Sequence, residues 1–162
     1  YMTDDAEYIL IMSNSFSTLG KAAVNSARKN GIKTGLLKLR LLRPFPESDI
    51  VKAIKGAKAV AVVDQNISVG KGGILHSEVA SAVCNQKYKP LLLSFIGGLG
   101  GKNISPQEFE FIFDSMIKAV NTGEIPSSCL LYTETEWKEM DRLKTIAGKK
   151  QNCKLGKIGS SH

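Results

Sequence analysis

Apolar residues along this chain fall into short continuous blocks, separated by stretches in which they recur every three or four positions. The blocks have the length of strands and the recurring stretches the period of helices. Tyr8 to Met12 (Y-I-L-I-M) is too short for a helix, is rich in strand formers and stops at Ser13-Asn14-Ser15. From about Ser17 to Lys29, Leu19, Ala23 and Ala27 recur every fourth position, and Asn30-Gly31 supplies a helix stop. Lys33 to Leu42 reads as a second strand, ended by Pro44 and Pro46, and a short helix carrying Ile50, Val51 and Ile54 follows. Ala59 to Val63 has almost no polar interruption, the mark of a strand buried on both faces. After a glycine-bearing loop, Leu75, Val79 and Ala82 mark a third helix, and Pro90 to Ile96 a fourth strand. The Gly97-Gly98-Leu99-Gly100-Gly101 loop then leads to the best-signed helix of the chain. Ser105 is its N-cap, Pro106 its first residue and Glu108 the partner in a capping box, and Phe109, Ile112, Phe113, Met116, Ile117 and Val120 share one face.

Four strand–helix units with short connections imply a parallel sheet covered by helices on both faces. Beyond Gly123 the pattern weakens: Cys129 to Tyr132 reads as an edge strand, Glu134 to Ile146 as a loose helix, and Ala147 onward as a flexible tail. The expected division is an α/β domain over residues 1–126 and a C-terminal extension over 127–162.

Composition narrows the function classes. The 162 residues are 43% hydrophobic and 23% charged, enough for a core that buries roughly two-thirds of the unfolded surface. Three cysteines, none in C-x-x-C spacing, exclude a disulfide scaffold, a zinc ribbon and a cysteine-ligated iron–sulfur site, and suggest a reducing, cytoplasmic setting. No apolar run reaches the 18 or so residues of a membrane span. The chain opens on Tyr1 and enters a strand within ten residues, as if cut from a longer polypeptide. The net charge of +7 is unevenly spread: residues 142–162 hold six of the 22 bases and no acid, leaving 16 bases against 15 acids before them. That tail lacks interleaved aromatics and any nucleic-acid motif, so a solvated end is favoured over a nucleic-acid site.

Chemistry-bearing candidates are few. Asp64 to Gly73 (D-Q-N-I-S-V-G-K-G-G) joins a buried strand to a helix, where ligands bind in doubly wound sheets. Its spacing fails both phosphate signatures: Leu75 stands where a third glycine belongs, and Lys71 precedes no Ser or Thr. A tight turn is favoured, with a nucleotide- or phosphate-binding module built on Gly70 to Gly73 as the alternative. His76 and Glu78 are two apart on a helix and share no face. His162 is terminal, in a Gly-Ser-Ser-His run that resembles the start of a tag, and Cys84 reads as a buried, inert thiol. No catalytic constellation emerges.

At Leu42-Arg43-Pro44-Phe45-Pro46 the sequence acquires a family likeness. Asp5-Ala6-Glu7 precedes the first strand, and Gly31 to Leu42 runs into Arg43-Pro44-Phe45-Pro46. Ala59 to Asp64, Ile67-Ser68-Val69-Gly70 and Glu78 follow, then Phe95 to Gly101 with Ile104-Ser105. This ordered set, over about residues 4 to 126, resembles the C-terminal domain of the alpha subunit of pyruvate:ferredoxin oxidoreductase (pyruvate synthase) and its 2-oxoacid:acceptor relatives. The resemblance implies a three-layer α/β/α sandwich on a mostly parallel sheet, like the C-terminal domain of transketolase. The strand order would be second, first, third, fourth, with a further antiparallel strand before Tyr1.

The resemblance also implies a role. In that family the complex oxidatively decarboxylates pyruvate or a related 2-oxoacid on thiamine diphosphate with Mg. It passes electrons through iron–sulfur clusters to ferredoxin or flavodoxin, and the acyl group to coenzyme A, to give acetyl-CoA. The thiamine-binding G-D-G pattern has no counterpart here, so no catalytic, cofactor-binding or metal-binding residue is assigned to this chain. The expected role is structural: a domain that packs against other domains and subunits of the oxidoreductase, inactive alone, with no membrane or nucleic-acid partner. Candidate contact residues are Arg43, Pro44 and Phe45, together with Asn66, Ser68, Gly70, Gly98 and Gly100 in the glycine-bearing loops. A turn with Phe45 in the domain's own core is the competing reading.

Overall fold

The computed structural model describes residues 1–69 and 72–146. Its strands are β1 (Tyr8–Ser13), β2 (Thr34–Leu39), β3 (Ala59–Asp64), β4 (Leu91–Ile96) and β5 (Cys129–Leu130). Its α-helices are α1 (Ser17–Lys29), α2 (Glu47–Ala53), α3 (Ile74–Val83), α4 (Pro106–Thr122) and α5 (Glu134–Ile146). The expected tail from Ala147 lies outside the described residues.

The strands form one sheet in the order β2-β1-β3-β4-β5, every pair parallel. Alternation along each strand splits the core into two halves. Leu10, Met12, Leu36, Ala59, Ala61, Val63, Leu93 and Phe95 face α1 and α4. Ile9, Ile11, Leu39, Val60 and Val62 face α2 and α3. The result is the expected three-layer α/β/α sandwich, with β3 buried along its whole length. Two apolar layers on one strand explain why its sequence has no polar alternation.

Tyr1 adds a feature at the β2 edge. Its ammonium donates to the Leu36 carbonyl at 2.9 Å and its carbonyl accepts from the Leu36 N–H at 2.9 Å. Two residues that exchange both backbone bonds form an antiparallel pair.

Three expectations need correction. The second strand stops at Leu39, because its partner β1 ends at Ser13; Leu41 and Leu42 are exposed. The buried stripe of α1 is Ser17, Gly20, Val24 and Ala27, so Leu19 and Ala23 lie to its side. Gly20 sets that rotation: a Cβ there would stand 2.5 Å from the Met12 sulfur and 3.3 Å from Leu36 Cδ1. Cys84 is exposed, since α3 ends at Val83 and Val83 takes the last buried position.

Candidate functional site

In a sheet of this order the chain leaves β1 in one direction and β3 in the other, so their carboxyl ends flank the switch point. Asn14, in the loop after β1, adopts a left-handed conformation (φ 62°), which asparagine tolerates better than most residues. Its Nδ2 donates to Oε1 of Gln65, just past β3, at 3.1 Å. Gly98, in the loop after β4 (φ 75°), closes over the same point. A Cβ on it would lie 3.4 Å from the Phe16 ring and 3.5 Å from Gln65 Cγ. Three loops therefore meet at the switch point, and Gln65 Nε2 is buried there without a hydrogen-bond partner.

The loop between β3 and α3 is organised by Asp64. This buried residue accepts the N–H groups of Leu75 at 2.8 Å and His76 at 3.0 Å, while Asn66 Oδ1 accepts that of Ile74 at 3.2 Å. The carboxylate thus occupies the place at the helix N-terminus that a phosphate would take. Gly73 makes the fit possible, because a Cβ on it would overlap the Asp64 carboxyl. Burial raises the Asp64 pKa above its usual 3.8, and the two N–H bonds pull the other way. A module that binds phosphate through this turn would need Asp64 to leave. Gly70 and Lys71, on which the alternative reading also rests, lie outside the described residues.

Arg43 reaches across to α3, where its guanidinium meets Glu78 at 2.6 Å, and Pro44 beside it is exposed. Phe45 is half-buried and packs against the core under α2 and α3. Ser68 is half-buried and donates its N–H to the Gly72 carbonyl at 2.7 Å. Gly98 is buried, Gly100 is exposed with open space around it, and Gly70 lies outside the described residues. The structure joins Arg43 to α3 and Asn66 to the same helix's first turn. It brings Gly98 against Gln65 rather than into solvent.

Asn14, Gln65 and the capping role of Asp64 were invisible in the residue pattern, since each depends on a partner more than ten positions away. Around them the surface is apolar: Leu41, Leu42, Ile67, Val69 and Ile74 are all exposed, Val69 fully. Ile74 and Glu78 lie one turn apart on α3, so Ile74 adjoins the Arg43–Glu78 ion pair. Among the described residues no group of three His, Cys, Asp or Glu is placed to hold a metal ion. Among them, too, no helix is long and apolar enough to cross a membrane.

Comparison with known proteins gives this edge a context. The model of the family described as pyruvate:ferredoxin oxidoreductase core domain II matches residues 6–109. The ketoisovalerate oxidoreductase subunit VorA of Pyrococcus furiosus is 35% identical over 129 residues, which are 80% of this chain and 33% of that protein. The pyruvate synthase subunit PorA of Methanosarcina barkeri is 36% identical over 124 residues, 76% of this chain and 31% of that protein. The chain thus spans about a third of the length of these curated relatives. Among solved structures, a 2-oxoglutarate:ferredoxin oxidoreductase from Magnetococcus marinus has 2-oxoglutarate, coenzyme A and succinyl-CoA bound. It superposes with a TM-score of 0.50 at 20% identity, over 72% of this chain and 18% of that one. A split-gene transketolase, in an inactive β4 tetramer, gives 0.50 at 17% identity, over 74% of this chain and 39% of that one. At those identities the two structures speak for the fold.

Proposed function

Because the chain belongs to the pyruvate:ferredoxin oxidoreductase core domain II family, we propose that it is a non-catalytic assembly domain of a 2-oxoacid:ferredoxin oxidoreductase alpha subunit. The full complex would oxidatively decarboxylate pyruvate or a related 2-oxoacid to its acyl-CoA and reduce ferredoxin or flavodoxin. In this reading residues 1–126 are the transketolase-like module and 127–162 its extension. The complex works in the cytoplasm, where the exposed Cys84 thiol stays reduced.

The observation that carries the structural role is the capped turn between β3 and α3. The N-terminus of α3, one place where this fold could hold a diphosphate, is filled by the chain's own Asp64 carboxylate. In this reading thiamine diphosphate with its Mg, the iron–sulfur clusters and coenzyme A belong to other parts of the complex, and no step of the reaction runs through residues of this chain. Its working surface is the carboxyl edge. Arg43, paired with Glu78, and the exposed Pro44, Leu42, Ile67 and Ile74 would supply the contact, together with Asn66, Ser68 and Gly100. Aliphatic side chains with an arginine among them suit the centre of a protein interface.

Co-expression of this chain with the remaining domains and subunits tests the reading. The expected result is a stable complex that decarboxylates a 2-oxoacid, while the purified chain alone does not. Ile67→Ser with Val69→Ser should weaken assembly without unfolding the chain. Decarboxylation by the isolated chain would overturn the proposal, as would failure to associate with the rest of the complex.

A further inference from the structure

On the opposite face of the sheet from α2 and α3, α1 and α4 leave a groove of about 470 Å³ between them. Leu19, Ala23, Ile32, Ile104, Phe109 and Phe113 give it an apolar lining. Its α1 wall is shallow because Ala22, Ala23 and Ala27 stand where larger side chains would fill it. The rotation of α1 imposed by Gly20 is what turns Leu19 out of the core and into this groove, 37% exposed.

The rim is charged on one side only. Glu110 and Asp114 lie one turn apart on α4, both exposed, and among the described residues neither meets a cation. Like charges at this spacing repel. On α1, Arg28 is bound to Asp5 and Lys21 lies over the Tyr1 ring; Lys29, and Lys118 one turn on from Asp114, make no ion pair with either acid. The result is an acidic pair without an ion-pair partner beside an apolar groove.

We propose that this groove docks an amphipathic helix from another subunit of the oxidoreductase, with an apolar stripe in the groove and lysines over Glu110 and Asp114. The inference rests on the assembly reading and places a second contact on the opposite face of the sheet from Arg43 and Glu78. Two features select a helix. The groove runs between two parallel helices, the setting in which a third packs its apolar stripe. Small residues on α1 let a helix backbone come close, and the rim carboxylates sit where basic side chains on its flank would reach.

Zero-length carbodiimide cross-linking of the assembled complex, read by mass spectrometry, tests the proposal. The expected products join Glu110 or Asp114 to a lysine of another subunit. Charge reversal, Glu110→Lys with Asp114→Lys, should lower the affinity of the chain for the complex by about tenfold or more. Far-UV circular dichroism confirms that the variant folds, and Glu110→Gln with Asp114→Asn gives a milder second variant with an intermediate loss. Cross-links only to residues 147–162 of the same chain, only to a second copy, or none at all would overturn the inference. So would charge reversal without effect on assembly. If the chain enters the complex and Glu110 and Asp114 stay unlinked, only the groove assignment fails; if it never enters, the assembly reading fails with it.

Discussion

Asp64 carries two opposing demands. Burial makes its charge costly, while the N–H groups of Leu75 and His76, at 2.8 and 3.0 Å, need its oxygens. Asp64→Ala would leave both donors of the first turn of α3 unsatisfied, at a cost of about 1–3 kcal/mol. Gly73→Ala drives a methyl group into the carboxyl itself and should cost about 1–3 kcal/mol by overpacking. Once the carboxyl is gone, the methyl group has room. The double variant should therefore lose less than the sum of the singles in urea unfolding, and a strictly additive result would show that the two do not collide. The raised pKa fixes a pH trend as well. The folded state binds the Asp64 proton more tightly than the unfolded chain, so this contribution favours folding fully below about 3.8. It is lost as pH rises through the folded pKa. Relative to Asp64→Asn, the natural chain should lose stability between pH 4 and pH 7; a relative gain would mean a lowered pKa. In the sequence Asp64 appears only as the polar residue that closes an apolar run. Its partners, 11 and 12 positions ahead across a glycine-bearing loop, become legible only when the loop folds back.

At the scale of elements, what could be read depended on whether the decisive contact was local. The start of α4 was plain because its capping box spans three residues: Ser105 Oγ accepts from the Glu108 N–H, and Glu108 accepts from the Ser105 N–H at 2.7 Å. The orientation of α1 was not, because Gly20 acts against Met12 and Leu36 on two strands. The docking of α5 belongs to the second kind. Lys102 holds Glu108, itself 1% exposed, at 2.8 Å and Glu136 of α5 at 2.6 Å. Burial lowers the Lys102 pKa, the two carboxylates raise it, and the carboxylates prevail. Lys102→Met would leave the buried Glu108 carboxylate with only the Ser105 N–H and detach the first turn of α5. The expected loss is about 1–3 kcal/mol. Amide hydrogen exchange should quicken across residues 134–146 more than within α4. Equal quickening in both helices would show that α5 is held by something other than this ion pair.

For the whole molecule, the alternation of strand and helix already implied the layers, because a two-sided apolar strand such as β3 leaves no other architecture for four repeated units. The family's motif set supplied the strand order. What the residue pattern left open was whether the switch-point loops bind anything small, and Asp64 bears on that by taking the N-terminus of α3 for the protein's own carboxylate. Binding has a thermal signature. A ligand present at a hundred times its dissociation constant stabilises the folded state by about 2.7 kcal/mol, which for a domain of this size raises Tm by roughly 5–10 °C. Flavin mononucleotide, coenzyme A and nicotinamide dinucleotide, each at about 1 mM, would therefore reveal any site tighter than about 10 µM. The expected Tm is unchanged with each of them. A rise of several degrees that survives Asp64→Asn would restore a nucleotide site at the switch point, away from α3. A rise that appears only in Asp64→Asn would show instead that the carboxylate is what keeps phosphates out.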